Sequence, residues 1–186
     1  MLQLKGDSKP DMASLTLSSL NFNKQVSISD PAIIQNLARE MQDKDIKPEA
    51  EAFDSGMINY LKYLIKKKLI VSPYYVNLIL GNISCAQADL LHAGVMVNDL
   101  PENTYFSMGA IGNYQLKINS MAISMGFGVR VGLEDNIWYN NDKTKPARNI
   151  DLLKRVHLIA EANQRKVMKP IALRKFLKLK RIYGDL

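Results

Sequence analysis

The side chains best suited to chemistry lie in one stretch, residues 128–136, which carries Arg130, Glu134 and Asp135. Read as a β-strand, which places alternate side chains on opposite faces, the stretch puts its apolar residues on one face and Arg130, Gly132 and Glu134 on the other. A buried face with these charges is costly unless they are paired, ligate a metal or act on a substrate. The acidic pair would follow the strand end, where α/β enzymes place their catalytic groups.

A second informative strand is predicted at residues 47–53. It places Glu49 and Glu51 on one face and small alanines on the other, which lets a helix pack closely. Two inward glutamates repel each other unless a cation or a proton lies between them. An edge strand with two solvated carboxylates is equally consistent with this pattern.

The first predicted strand, residues 12–17, places the hydroxyls of Ser14 and Thr16 on one face. They could contact a substrate, although hydrogen bonding inside a barrel is the favoured interpretation. The two histidines, His92 and His157, lie alone in predicted helices, and such histidines serve packing or the surface more often than a metal.

Five strands separated by helices are predicted to position these groups. A strict alternation of strand and helix predicts a parallel sheet with right-handed crossovers, as in a doubly wound sheet or a (β/α)8 barrel. A full barrel needs eight strands and about 250 residues, so this chain of 186 residues is three strands short. The predicted strands are 12–17, 47–53, 74–80, 104–109 and 128–134.

Size and composition indicate one α/β domain over residues 1–186. The chain is 47% hydrophobic, which is typical of a globular protein. Its single cysteine excludes an internal disulfide framework and fits a reducing compartment. No segment is apolar for long enough to span a membrane, and the first residues lack the pattern of a signal peptide. We therefore expect a cytoplasmic protein without membrane partners.

The net charge of +7 belongs to the C-terminal segment. Residues 165–186 contain eight of the 25 Lys and Arg residues but one of the 18 acidic residues. Such a basic tail could bind nucleic acid or another anion. A solvated amphipathic helical tail of the same domain is favoured, because no nucleic-acid-binding motif accompanies the charge.

Four segments make the sequence resemble the β-keto acid cleavage enzyme family, typified by 3-keto-5-aminohexanoate cleavage enzyme. The most specific is the pattern Arg-x-Gly-x-Glu-Asp-Asn at residues 130–136, followed by an aromatic pair. The resemblance runs nearly end to end and covers the C-terminal two-thirds of a family member, from the fourth barrel strand onward. The segments are 9–15, 47–57, 109–112 and 129–139.

The resemblance implies an α/β fold of the (β/α)8 TIM-barrel type, truncated to about five βα units, strands 4–8 of the barrel. It also implies an acyltransferase that uses a divalent metal, usually Zn²⁺, and acetyl-CoA as co-substrate to cleave a β-keto acid, giving acetoacetate and a new acyl-CoA. The resemblance assigns Glu134 as the metal ligand, Asp135 as the general base, Arg130 as its orienting partner and Glu51 as an active-site glutamate. Ser14, Thr16 and Glu49 are the expected substrate contacts.

The family's other two metal ligands are histidines in a His-x-His motif on the second barrel strand, which this sequence lacks. Three hypotheses follow: an enzyme of this family, a catalytically inactive remnant that acts through association, and, least favoured, a basic-tailed binding module. An open half-barrel exposes strand edges and its inner face. We therefore expect a homo-oligomer, or association with a missing N-terminal part.

Overall fold

A five-stranded parallel sheet forms the centre of the fold in the computed structural model, which describes residues 3–4 and 6–180. The strands are β1 (Met12–Thr16), β2 (Leu20–Asn21), β3 (Val26–Ser27), β4 (Lys47–Ala52), β5 (Tyr74–Leu80), β6 (Thr104–Ala110) and β7 (Gly128–Val129). The helices are α1 (Pro31–Asp43), α2 (Ser55–Lys66), α3 (Leu90–Asp99), α4 (Gln115–Ser124), α5 (Asn149–Ala162) and α6 (Pro170–Phe176).

The predicted alternation of strand and helix is confirmed. The strand order in the sheet is β1-β4-β5-β6-β7, and every pair of neighbours is parallel. Strand β4 lies inside the sheet between β1 and β5, so the edge-strand interpretation of the two glutamates is wrong. The sequence analysis did not foresee the small antiparallel hairpin of β2 and β3.

The two faces of the sheet have different chemistry. Apolar residues in register across β1, β4, β5 and β6 are buried on the face against the helices. The opposite face carries alternating polar residues from the same strands, as the period of two requires. The members of the buried face include Leu15, Ala50, Val76, Leu78 and Met108.

Side-chain caps start helices directly after strands and so fix where the strand ends lie. Asp54 lies two residues after the end of β4, and its carboxylate accepts a hydrogen bond of 2.9 Å from the backbone N–H of Met57 at the start of α2. Asp30 accepts one of 2.7 Å from the N–H of Ala32 ahead of α1. Such caps satisfy N–H groups that have no partner inside the helix.

The predicted strand at 128–134 is wrong in its length, because β7 ends at Val129. Beyond it the chain turns, and the carbonyl of Gly132 accepts hydrogen bonds from the N–H groups of Asp135 (3.3 Å) and Asn136 (3.2 Å). Turn hydrogen bonds thus replace the sheet ladder. The strict alternation expected for Arg130, Gly132 and Glu134 is lost with the strand.

The C-terminal segment is helical over α6 only, and residues 181–186 of the predicted basic tail lie outside the described residues. Leu177 is fully buried, while Phe176 is half-exposed and stacks on Tyr105 with ring centroids 5.6 Å apart. Arg174 pairs with Asp11. In the described part of the chain, no helix is both long enough and apolar enough to cross a membrane.

We predict that two glycine substitutions change stability in opposite directions. A Cβ at Gly128 would lie 2.7 Å from the backbone oxygen of Phe106, so Gly128→Ala should lower the free energy of unfolding by about 1–3 kcal/mol. A Cβ at Gly94, inside α3, meets nothing within 4 Å, so Gly94→Ala should raise it by up to about 1 kcal/mol. Urea unfolding measures both, and equal effects would contradict the close β6–β7 approach.

Candidate active site

One guanidinium group, that of Arg130, joins three carboxylates. Its Nη1 donates to Oε1 of Glu51 at 2.8 Å, its Nη2 to Oε2 of Glu134 at 2.9 Å, and its Nε to Oδ2 of Asp135 at 3.0 Å. Charge-assisted hydrogen bonds of this kind are the strongest that side chains make. The family resemblance implies one site for these four residues, and the structure brings all four together.

The group lies at the carboxyl ends of the parallel strands. Glu51 is near the end of β4, and Arg130 directly follows β7. Thr16, the last residue of β1, is in register with Glu51, and its hydroxyl donates to Oε2 of that glutamate at 2.8 Å. Each oxygen of Glu51 therefore has its own donor. This edge of a parallel sheet is where α/β proteins bind ligands.

Burial and charge balance set the electrostatics of the cluster. The side chains of Asp135, Glu51 and Arg130 are 4%, 12% and 17% exposed, whereas that of Glu134 is 83% exposed. Burial raises the pKa of Asp135, and the negative charges of Glu134 and Glu51 add to the effect although the Arg130 guanidinium opposes it. The same three carboxylates raise the pKa of Arg130. Burial thus leaves Asp135 easier to protonate than an ordinary aspartate, even though Asp135 is bound to the Arg130 cation.

A cleft of about 1020 Å³ opens above this cluster. Thr16, Glu51, Arg130, Glu134 and Asp135 all line it. The β2–β3 hairpin and nearby loops add an apolar wall, in which two rings meet edge to face with their centroids 6.1 Å apart. A cavity with an apolar wall and a few convergent polar groups is the usual form of a ligand site. The two rings are those of Phe22 and Phe53.

A second polar network lies on the same sheet face, one pleat below. The amide nitrogen of Asn77 donates to Oε1 of Glu49, and the hydroxyl of Ser107 donates to Oδ1 of Asn77. These groups and Tyr75 line a cavity of about 340 Å³ that also reaches Arg130. Burial raises the pKa of Tyr75. Glu49 thus lies beneath the Arg130 cluster, separate from the upper cleft.

Ser14 and the two histidines are not part of the cluster. Ser14 pairs with Glu49 in the β1–β4 register, but it is exposed and lies outside the 1020 Å³ cleft. His92 contacts Asp89 at the start of its own helix, with 2.9 Å between Nδ1 and Oδ1. His157 is exposed on α5.

The donor set does not fit a catalytic zinc ion within residues 3–4 and 6–180. No three His, Cys, Asp or Glu side chains come together there in a way that could hold a metal. Glu134, the expected ligand, is instead bound to Arg130. Three protein ligands are the norm for catalytic zinc.

Sequence reasoning missed the amides that surround the cluster. Asn77 interrupts an otherwise apolar strand and lies on the same strand face as Tyr75. This polar residue in an apolar run was the signal that the sequence offered. Gln115 and Asn119 of α4 hydrogen-bond the backbone around Arg130. Their spacing of four residues on a helix was visible in the sequence, but their target was not.

Comparison with known proteins gives consistent results. A model of the beta-keto acid cleavage enzyme family matches residues 2–179. The 3-dehydrocarnitine:acetyl-CoA trimethylamine transferase of Rhizobium meliloti is 33% identical over 172 residues, which cover 91% of this chain and 57% of that protein. The 3-keto-5-aminohexanoate cleavage enzyme of Fusobacterium nucleatum is 32% identical over 175 residues, covering 92% and 62%. The chain therefore spans about three-fifths of the length of these relatives.

Solved structures show a similar fold. The apo structure of ObcA superposes with a TM-score of 0.74 at 18% identity, over 91% of this chain and 44% of that chain. A ternary complex of ObcA with a C4-CoA adduct and oxalate gives a TM-score of 0.70 at 16% identity, over 91% and 46%. At these identities the similarity concerns the fold alone.

We predict that Asp135 makes the protein less stable as pH rises through the acidic range. Its pKa in the folded state is raised above the ordinary value of 3.8, so folding favours the protonated form. The stability of the wild type relative to Asp135→Asn should therefore be greatest below pH 3.8 and should fall as pH rises through the raised pKa. Urea unfolding between pH 3 and 7 measures this difference.

Asp151 provides the control, because a hydrogen bond from Arg148 lowers its pKa. The stability of the wild type relative to Asp151→Asn should change in the opposite direction and fall as pH decreases. If the two differences had the same sign, the raised pKa of Asp135 would be contradicted.

Proposed function

Because this chain belongs to the beta-keto acid cleavage enzyme family, we propose that it carries the acid–base part of an enzyme that uses acetyl-CoA to cleave a β-keto acid. The products are acetoacetate and a new acyl-CoA. The names of two relatives support the co-substrate, since acetyl-CoA appears in the name of the Rhizobium meliloti enzyme and in that of the 3-oxoadipate:acetyl-CoA acetyltransferase of Cupriavidus necator. Because this chain covers only about three-fifths of the length of these relatives, we propose the whole reaction for it on the basis of the family and the site.

The observation that carries this proposal is the single guanidinium of Arg130 bound to Glu51, Glu134 and Asp135 at the wall of a large cleft. A general base works best when its pKa lies near the working pH and its lone pair is aimed. Burial raises the pKa of Asp135 toward that range, and Arg130 fixes the direction of its carboxylate. We therefore assign Asp135 as the base and Arg130 as its positioning partner.

The reaction needs one proton acceptor and no redox partner. Asp135 takes a proton from the carbon between the carboxylate and the ketone of the substrate. That carbon then forms a bond to the acetyl carbonyl carbon and releases the CoA thiolate. Attack of the thiolate on the original ketone carbon breaks the old carbon–carbon bond, which yields the acyl-CoA. The departing carbanion recovers the proton and leaves as acetoacetate.

The remaining polar residues are proposed to hold the substrate and the base. Thr16 and Arg130 occupy both oxygens of Glu51, so this glutamate keeps the guanidinium in the cleft. Glu49 lies beneath the Arg130 cluster, where it accepts a hydrogen bond from the side-chain amide of Asn77. Ser14 is exposed on the same face, where it would contact a substrate only if further chain covered it.

A divalent metal, zinc in particular, would act as a Lewis acid on the keto-acid oxygens. The resemblance assigns Glu134 as a ligand, but this side chain is 83% exposed and the described residues contain no group of three donors that could hold a metal, so further ligands would have to come from outside them. Because the donor set present does not fit, we assign no step of the reaction to a metal.

We also propose that the sheet is part of a TIM barrel that other protein segments complete. The polar sheet face and the edges β1 and β7 have no covering strand within residues 3–4 and 6–180. Sheet edges with unpaired backbone groups attract further strands. The occupant is either the segment that corresponds to the unmatched two-fifths of the relatives or a second copy of this chain.

The alternative is a catalytically inactive remnant that acts through association. The lack of three side chains that could together hold a metal within residues 3–4 and 6–180 favours this alternative. Nucleic-acid binding is less favoured, because basic residues of the C-terminal segment are engaged within the chain. Arg174 pairs with Asp11, Lys180 with Asp45, and Arg165 with backbone carbonyls near β7.

We predict that the purified chain forms acyl-CoA from acetyl-CoA and a β-keto acid, and that Asp135→Asn lowers the rate by about 100-fold or more, since a positioned general base contributes that much. Arg130→Met should have an effect of similar size. Asp151→Asn removes an ion pair with Arg148 at the start of α5, away from the Arg130 cluster, so this control should leave the rate unchanged. Chromatographic detection of the CoA ester over a panel of β-keto acids measures this. Formation of no ester with any substrate would support the remnant.

A second prediction concerns zinc. The isolated chain should retain well below one equivalent after dialysis, because a single carboxylate is a weak site. Glu134→Gln should therefore change the zinc content little. Zinc near one equivalent that disappears in Glu134→Gln would contradict this expectation and would argue against the remnant. Elemental analysis of both proteins gives the answer.

A further inference from the structure

The segment that carries the Arg130 cluster has little support from the sheet. Strand β7 ends at Val129, and one further backbone bond follows, from the N–H of Arg130 to the carbonyl of Met108 at 3.0 Å. Residues 130–135 nevertheless present their side chains at defined positions. Another element must therefore hold this backbone.

Two buried amides on α4 provide that support. The side-chain nitrogen of Asn119 donates to the carbonyl of Arg130 at 2.9 Å and to that of Met108 at 3.1 Å. The side-chain nitrogen of Gln115 donates to the carbonyl of Gly132 at 3.0 Å. The two residues are one helical turn apart, so both amides face the same side of the helix.

We propose that Gln115 and Asn119 are positioning residues that hold the Arg130 backbone in place of the missing strand. The inference rests on the proposed function only in assigning Arg130 to the active site. Asn119 bridges the strand β6 and the segment after β7 through two carbonyls. Gln115 holds the turn at Gly132, two residues after Arg130 and two residues before Glu134.

The chemistry of Gln115 argues against a mere packing role. The residue is fully buried, and its Oε1 atom has no hydrogen-bond partner in the part of the chain that the structure describes. A buried polar atom without a partner costs stability. A methionine or leucine would fill the same space without this cost, so the amide is explained by what its nitrogen donates.

Loss of the Asn119 amide should lower the free energy of unfolding more than loss of the Gln115 amide. It is 1% exposed and donates both of its hydrogens to backbone carbonyls. The carbonyl of Gly132 also accepts from the N–H groups of Asp135 and Asn136, so it stays partnered without Gln115. Removal of Gln115 should therefore loosen the turn with little loss of overall stability, which separates positioning from folding.

Two further contacts complete this support. The N–H of Gly112, just before α4, donates to the carbonyl of Asp135 at 2.7 Å. The side-chain oxygen of Asn149, at the start of α5, accepts from the N–H of Leu133 at 3.0 Å. The cluster thus depends on where α4 and α5 lie more than on the strand itself.

The test compares Asn119→Leu and Gln115→Met with Ser120→Ala. Ser120 lies on the same helix, and its hydroxyl donates within that helix to the carbonyl of Leu116 at 2.8 Å. Hydrogen exchange at the N–H groups of Arg130 and Leu133 should accelerate about tenfold or more in both amide variants. Hydrogen exchange at the N–H of Val76, in the central strand β5, should keep the wild-type rate. The NMR signal of the Arg130 Nε–H should move toward that of an exposed arginine, because its bond to Asp135 is lost.

Neither measurement uses a substrate, so failure of the proposed function leaves this test intact. If Asn119→Leu unfolds the whole chain, exchange at Val76 accelerates as well, and Gln115→Met alone then decides. Unchanged exchange at Leu133 together with an unchanged Arg130 Nε–H signal in Gln115→Met would overturn the proposal. The same changes in Ser120→Ala would also overturn it.

Discussion

The bonding of Arg130 is the interaction on which the arrangement of this site depends. One guanidinium satisfies three carboxylates, one from the end of a strand 79 residues before Arg130 and two from the turn that directly follows Arg130. Without it, Glu51 and Asp135 would be buried carboxylates close to each other, an arrangement that costs several kcal/mol unless one takes up a proton. Burial, together with the charges of Glu134 and Glu51, keeps the pKa of Asp135 raised although Arg130 opposes this effect, and a raised pKa suits the proposed role of Asp135 as a base.

Both the sheet and helix α4 fix the position of the Arg130 guanidinium. Parallel strands bring Thr16 and Glu51 to one edge by register, which fixes the carboxylate side. The arginine side has no comparable ladder, and α4 supplies side-chain amides where backbone donors would otherwise serve. Buried carbonyls need partners, so the amides of Gln115 and Asn119 let a strand end early and turn while its backbone stays ordered.

The polar face of the sheet is not covered by any strand of the described residues. Its side chains are linked from Glu49 through Asn77 to Ser107, although no strand covers them within residues 3–4 and 6–180. A polar network of this kind is worth most when it is enclosed, where the low dielectric strengthens each bond. The uncovered sheet face, the exposed Glu134 and the lack of a metal donor set within residues 3–4 and 6–180 are consistent with the proposal that further chain completes the barrel, since the matched relatives are longer than this chain.

The alternation of strands and helices, the parallel sheet and the position of Glu49 and Glu51 on one face of their strand follow from the sequence alone, because side-chain period and chain order are local properties. The grouping of Arg130, Glu134 and Asp135 was also visible, since five residues separate them at most. The early end of β7, the β2–β3 hairpin and the partners of Gln115 and Asn119 were decided by tertiary structure. A helix amide can serve either the core or a neighbouring backbone, and only the packing of α4 against β6 and the segment after β7 determines which carbonyl it meets.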